Sequence, residues 1–108
     1  MKWLTRALRR TPPTPVELDL HQQWALLTLA RFGPRTFNQL YDEVRVIRPT
    51  TQAEMVNAVL KLETAAVIER LEEPGTAQPQ RRYALTRRGR RILRYVPREP
   101  RSAMEFYI

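Results

Sequence analysis

The sequence predicts a small α+β domain, mostly helical, with one β-hairpin set between its third and last helices. Three observations carry this. Apolar residues recur at helical spacing in three successive segments between residues 16 and 65. The period then drops to two on either side of a loop, "PGTAQP", whose prolines and glycine cannot sit in a ladder. Beyond the second of these runs, Thr86 stands where a helix cap belongs. It precedes a last apolar stripe of Gly89, Ile92, Leu93 and Val96.

The elements follow in order. "MKWLTRALRR" at 1–10 sets Trp3, Leu4, Ala7 and Leu8 on one helical face and Arg6, Arg9 and Arg10 on the other. "TPPTP" at 11–15 is a stiff, extended break that separates this basic amphipathic arm from the rest. The first helix of the domain is expected over about 16–31, with Leu20, Trp24 and Leu27 near one stripe and Gly33-Pro34 closing it. Thr36 caps a short second helix, expected to end near Arg45, with Phe37, Leu40, Tyr41 and Val44 on one face. Pro49 blocks continuation. Thr50 or Thr51 then caps a third helix over about 51–65, where Glu54 completes a capping box with Thr51.

"AVIERLEE" and "QRRYALT" are the two strands of the hairpin, joined by a loop of about six to eight residues. In the last helix Gly89 is expected to permit close approach to the sheet, and Pro97 to end the helix. The chain therefore divides into an arm and linker at 1–15, a folded domain at 16–97 and a tail at 98–108. Within the tail "MEFYI" alternates like a strand. It is suited to adding to a sheet edge or docking on a partner, and equally to remaining unstructured.

Charge narrows the partner. The chain of 108 residues carries a net charge of +8, which favours a polyanion, most simply nucleic acid, over an anionic membrane surface. The charge is uneven. Residues 74–101 hold nine arginines against the single acid Glu99, while 50–73 is net −3. Only Lys2 and Lys61 are lysine. Arginine's planar fork suits phosphate and guanine edges, although a GC-rich genome accounts for the bias equally well.

The absence of cysteine excludes disulfides, thiolate metal sites and a cysteine nucleophile. His21 is the only histidine, and no nucleophile or second ligand stands near it at useful spacing. No glycine-rich phosphate loop exists among three glycines. No catalytic residue, metal or cofactor is expected, and no small-molecule pocket is signalled. No apolar run approaches the roughly 20 residues of a membrane span. The cytoplasm is the expected compartment, on the nucleoid when DNA is bound.

The order helix, helix, helix, hairpin, helix resembles that of winged helix-turn-helix domains. "VNAVLKLETAAVIERL" looks like the family's recognition helix, tight turn and first wing strand, with Val59 and Leu62 as core positions and Ala66 where glycine is usual. "RRYALTRRGRRIL" is similar to the tyrosine-x-leucine-threonine-x-x-glycine ending of PadR-type and MarR-type transcriptional regulators. The resemblance spans about 18–96. It implies a sequence-specific duplex-DNA binder from a prokaryote, its virus or a plasmid. The third helix would enter the major groove, with a wing at 72–82 on the backbone or minor groove.

Thr51, Gln52, Asn57 and Lys61 would then face bases. Arg35, Arg45, Arg48, Arg81, Arg82, Arg87 and Arg88 would meet phosphate or the minor groove. The resemblance also implies a homodimer. Relatives pair through long terminal helices, whereas here the last helix stops at Pro97, which leaves the arm 1–10 and the tail as the pairing segments. The rival reading is a winged-helix protein-interaction module in a polymerase, replication or partitioning complex. The acidic residues near the third helix and the apolar ends of the chain favour it.

Overall fold

The chain enters its fold as a strand. β1 (Pro15–Leu18) alternates outward and inward, burying Val16 and Leu18. It pairs antiparallel with β5 (Met104–Tyr107), in register Val16 to Phe106 and Leu18 to Met104. The computed structural model describes residues 15–77 and 80–107. The expected amphipathic arm at 1–10 and most of the Pro-rich break lie outside the described residues.

The first helix therefore starts later than the sequence suggests. α1 runs Leu20–Phe32, not from 16. Asp19 is its cap, accepting from the Gln22 backbone N–H at 2.8 Å, while Gln22 accepts from the Asp19 N–H at 2.8 Å. That reciprocal box fixes the helix start, because both orphan donors are satisfied only if residue 19 stays extended. The four residues before it are then free to pair with a strand more than eighty positions away. Gln23, fully buried, locks the junction: its amide donates to the Leu18 carbonyl at 3.0 Å and to the Ser102 carbonyl at 2.9 Å.

Gly33, at φ 79, ends α1 and turns the chain into β2 (Arg35–Thr36). Thr36 then caps α2 (Phe37–Ile47) with Gln39 as its box partner. The helix runs two residues past the expected end at Arg45 and buries Leu40 and Val44 against α1. Residues 48–51 form the turn, and α3 follows at Gln52–Thr64, capped by Thr51 with Glu54 in the box. Met55, Ala58, Val59 and Leu62 form its sealed stripe, each at most 3% exposed.

The end of α3 is a tight left-handed turn. Ala66 sits at φ 60, the only described non-glycine residue with positive φ. Its N–H donates to the Glu63 carbonyl at 2.9 Å, and that of Val67 donates to the Leu62 carbonyl at 3.1 Å. This is the double closure of a Schellman cap, with the buried Leu62 and Val67 as its apolar contact. Alanine in place of glycine thus leaves the turn as tight and adds local strain. Ala66→Gly is expected to raise stability by about 0.5–1 kcal/mol, read from denaturant midpoints at unchanged slope.

The sheet has three strands, not the two of a simple hairpin. β3 (Ile68–Arg70) and β4 (Arg82–Leu85) pair antiparallel, Ile68 opposite Leu85 and Arg70 opposite Tyr83. β2 pairs with the other edge of β4, Arg35 opposite Tyr83. Two residues are too short a stretch to show a period, so β2 had no signature. The hairpin loop spans 71–81, longer than expected, and Gln78 and Pro79 in it lie outside the described residues.

α4 (Arg87–Leu93) is the last helix among the described residues, shorter than a helix reaching Pro97; Val96 still buries in the turns that follow, and Phe106 of β5 joins the core beyond it. The Thr86 hydroxyl does double duty, donating to the Ala66 carbonyl at 2.6 Å and accepting from the Gly89 N–H at 3.0 Å. The α+β architecture, four helices with small antiparallel sheets among the described residues, is that of a winged helix.

Candidate nucleic-acid interface

A helix can read a groove only if one stripe anchors it and the opposite stripe is open. α3 meets this condition. Opposite its sealed residues, Gln52, Ala53, Val56, Asn57, Leu60 and Lys61 are all exposed. The candidate base-facing residues Gln52, Asn57 and Lys61 lie on this open side. Thr51 is exposed as well, but its hydroxyl is engaged, accepting from the Glu54 N–H at 3.1 Å.

Glu54 reads differently from what its charge suggests. One carboxylate oxygen accepts from the Thr51 N–H at 2.9 Å, and the other lies 2.9 Å from His21 Nε2. His21 Nδ1 is 3.2 Å from the Thr50 hydroxyl, which also donates to the Arg48 carbonyl at 3.1 Å. The lone histidine thus clamps the first turn of α1 to the turn and start of α3. No spacing rule links residues 21, 50 and 54, so the clamp was invisible in the sequence.

The Thr51 backbone and hydroxyl, then His21, hold the Glu54 carboxyl below its ordinary 4.5. Arg82 does the same for Glu73. A depressed carboxylate pKa contributes stability above the unfolded value and loses it as pH falls through the folded one. Stability is therefore expected to decline below about pH 4.5. Glu54→Gln, which keeps the capping box, should flatten part of that acid limb in a pH series of thermal melts.

The arginines fall into two groups. Some already hold internal partners. Arg35 Nε donates to Glu43 at 3.2 Å and its guanidinium lies 5.3 Å from the Phe32 ring centre. Half-buried Arg81 donates to the Thr76 carbonyl at 3.4 Å and sits 4.0 Å from Glu72. Others lie in exposed pairs that water screens. Arg45 meets Asp42 at 3.0 Å over the Tyr41 ring, and Arg82 meets Glu73 at 3.0 Å. Pairs of this kind are worth little and exchange readily for another anion. Arg87 is exposed at the start of α4, Arg88 half-buried beside it, and Arg48 half-buried in the turn before α3.

Ala53, Val56 and Leu60 were not among the expected interface residues. Their outward placement follows from the stripe opposite Met55, Val59 and Leu62, a signal present in the sequence but masked by their apolar character. Among the described residues no helix is long and apolar enough to cross a membrane.

No protein-family model matches the chain, and no curated protein sequence matches it. Solved structures do share its fold. RV1404 from Mycobacterium tuberculosis aligns with a TM-score of 0.62 and 28% identity over 73% of this chain and 50% of its own. The MarR family transcription regulator SP03579 aligns with a TM-score of 0.61 and 25% identity over 71% of this chain and 48% of its own. A MarR-like transcriptional regulator from Thermotoga maritima, 21% identical, shares the fold with a TM-score of 0.56 over 85% and 56%. The chain spans about half the length of these structures. The MarR side of the sequence resemblance is thereby supported; the PadR side rests on sequence wording alone.

Proposed function

We propose that the chain binds duplex DNA in transcriptional regulation, with α3 in the major groove and the 72–82 loop on the backbone or minor groove. The carrying observation is the division of α3 into one sealed and one open stripe, in a chain of net charge +8. Likeness to a MarR family transcription regulator supports it. Gln52 and Asn57 have the paired donor and acceptor that match adenine edges. Thr51, its hydroxyl engaged, offers a methyl group to thymine, and Lys61 lies at the far end of the helix.

Arg45, Arg48, Arg82, Arg87 and Arg88 supply phosphate contacts; Arg35 and Arg81 contribute mainly through the local field. Two copies would place two reading helices on adjacent half-sites. The segments available for pairing are the arm 1–10 and the β1–β5 ribbon, whose Met104 and Tyr107 are exposed. The expected compartment is the cytoplasm.

A gel shift on random genomic duplexes at low salt tests the reading. Retardation is expected, and Asn57→Ala should weaken selected sites by about tenfold while leaving random DNA unchanged. No retardation at low salt would instead favour the protein-interaction module. The exposure of Val46 at 84% and Leu60 at 55% is the observation on that side.

A further inference from the structure

The open stripe of α3 has an unusual makeup for a helix that meets a polyanion. Ala53, Val56, Asn57 and Leu60 stand at i, i+3, i+4 and i+7, all exposed, and three of the four are apolar. The helix has no arginine, and its only cation is Lys61 near the end. Of its two acids, Glu54 is held at the cap by Thr51 and His21, and half-buried Glu63 lies 3.8 Å from Arg70. What this helix presents outward is therefore apolar groups around the carboxamide of Asn57, with a second carboxamide, Gln52, at its start and Lys61 near its end.

In the major groove only one base offers an apolar partner, thymine through its C5 methyl. Adenine, across the pair, offers the N6 and N7 edge that a carboxamide matches bidentately. Both chemistries on this stripe select the same base pair. From this we infer that α3 reads A·T pairs in the major groove, with Ala53 and Val56 packed on thymine methyls and Asn57 on an adjacent adenine. The inference rests on the DNA-binding reading above. It commits the apolar stripe to duplex DNA because the rest of the chain supplies the complementary charge: nine arginines lie between residues 74 and 101. Phosphate contacts set the affinity there, and the methyl contacts on α3 set the sequence.

The test uses the full chain and duplex sites recovered from a random library. Each thymine of a recovered site is replaced in turn by deoxyuridine, which pairs identically but lacks the methyl. Binding is expected to fall by about fourfold at one or two positions, the fold-change of one buried methylene. Val56→Ala, an exposed change that leaves the core intact, should bind thymine and deoxyuridine equally at the position it contacts. Asn57→Ala should keep the methyl dependence and lose the preference for adenine. Equal binding of wild type to thymine and fully deoxyuridine sites overturns the inference while DNA binding stands; it is also what a protein-docking stripe would give. Full methyl dependence retained in Val56→Ala overturns the assignment to that residue. Absence of any shift removes the DNA-binding reading itself.

Discussion

Gly89→Ala is expected to destabilise the domain by about 3 kcal/mol or more, because of the three glycines it alone has no room for a Cβ. A Cβ at this position would overlap the backbone carbonyl of Val67, which has no flexible end to move aside. That carbonyl also accepts from the Thr86 N–H at 3.1 Å. Relief would have to separate α4 from the turn after α3, breaking this bond and the 2.6 Å bond from the Thr86 hydroxyl to Ala66. The ordinary helix-propensity gain of alanine over glycine, about 1 kcal/mol, has the opposite sign and is outweighed. In a thermal melt the loss corresponds to a fall of at least about 12 °C. Arg91→Ala, exposed on the same helix, should stay within about 0.5 kcal/mol. A Gly89→Ala protein as stable as wild type would mean that α4 does not pack on Val67 as described.

The second large effect concerns salt. If the five arginines Arg45, Arg48, Arg82, Arg87 and Arg88 neutralise phosphates, the affinity for duplex DNA should fall with a log–log slope of about −4.5, about five-hundredfold between 50 and 200 mM salt. Arg82→Ala should reduce the magnitude of the slope by about one and weaken specific and random duplexes alike. The Glu73 pair does not prevent this, since an exposed pair at 3.0 Å exchanges one anion for another at little cost. Arg35→Ala is the contrast: its guanidinium faces Glu43 and Phe32, so stability should respond and the slope should not. An affinity that hardly changes over this range would exclude arginine–phosphate contact as the source of binding.

Much of the architecture is legible in local chemistry. Thr36, Thr51 and Thr86 each announce a helix start because a hydroxyl satisfies an orphan N–H wherever the chain turns helical. The alternation in "AVIERL" and "RRYALT" marks two strands because one face of each must bury. Gly89 could be read as a close-approach residue from its place on the inner stripe. Asp19 is a local signal that competes with the apolar period before it. Its box with Gln22 starts α1 at Leu20, which leaves the apolar Val16 and Leu18 before it to a strand instead of the helix.

The remainder was settled by residues far apart in the chain. β1 exists because residues 104–107 return to it and Gln23 ties Leu18 to Ser102. β2 exists because β4 has a second edge to satisfy. His21 gains its place only when α1 is laid against the start of α3. The arginines show the same divide. Composition and spacing determine that the chain is basic and where its helices start. Which guanidinium turns inward to Glu43 or the Thr76 carbonyl, and which lies open to an anion, depends on the acids and carbonyls that folding brings within 4 Å. Caps, turns and periods act over a few residues and are written in the sequence. Strand pairing, ion pairing and the clamp on α3 act through space, and only the tertiary fold sets those distances.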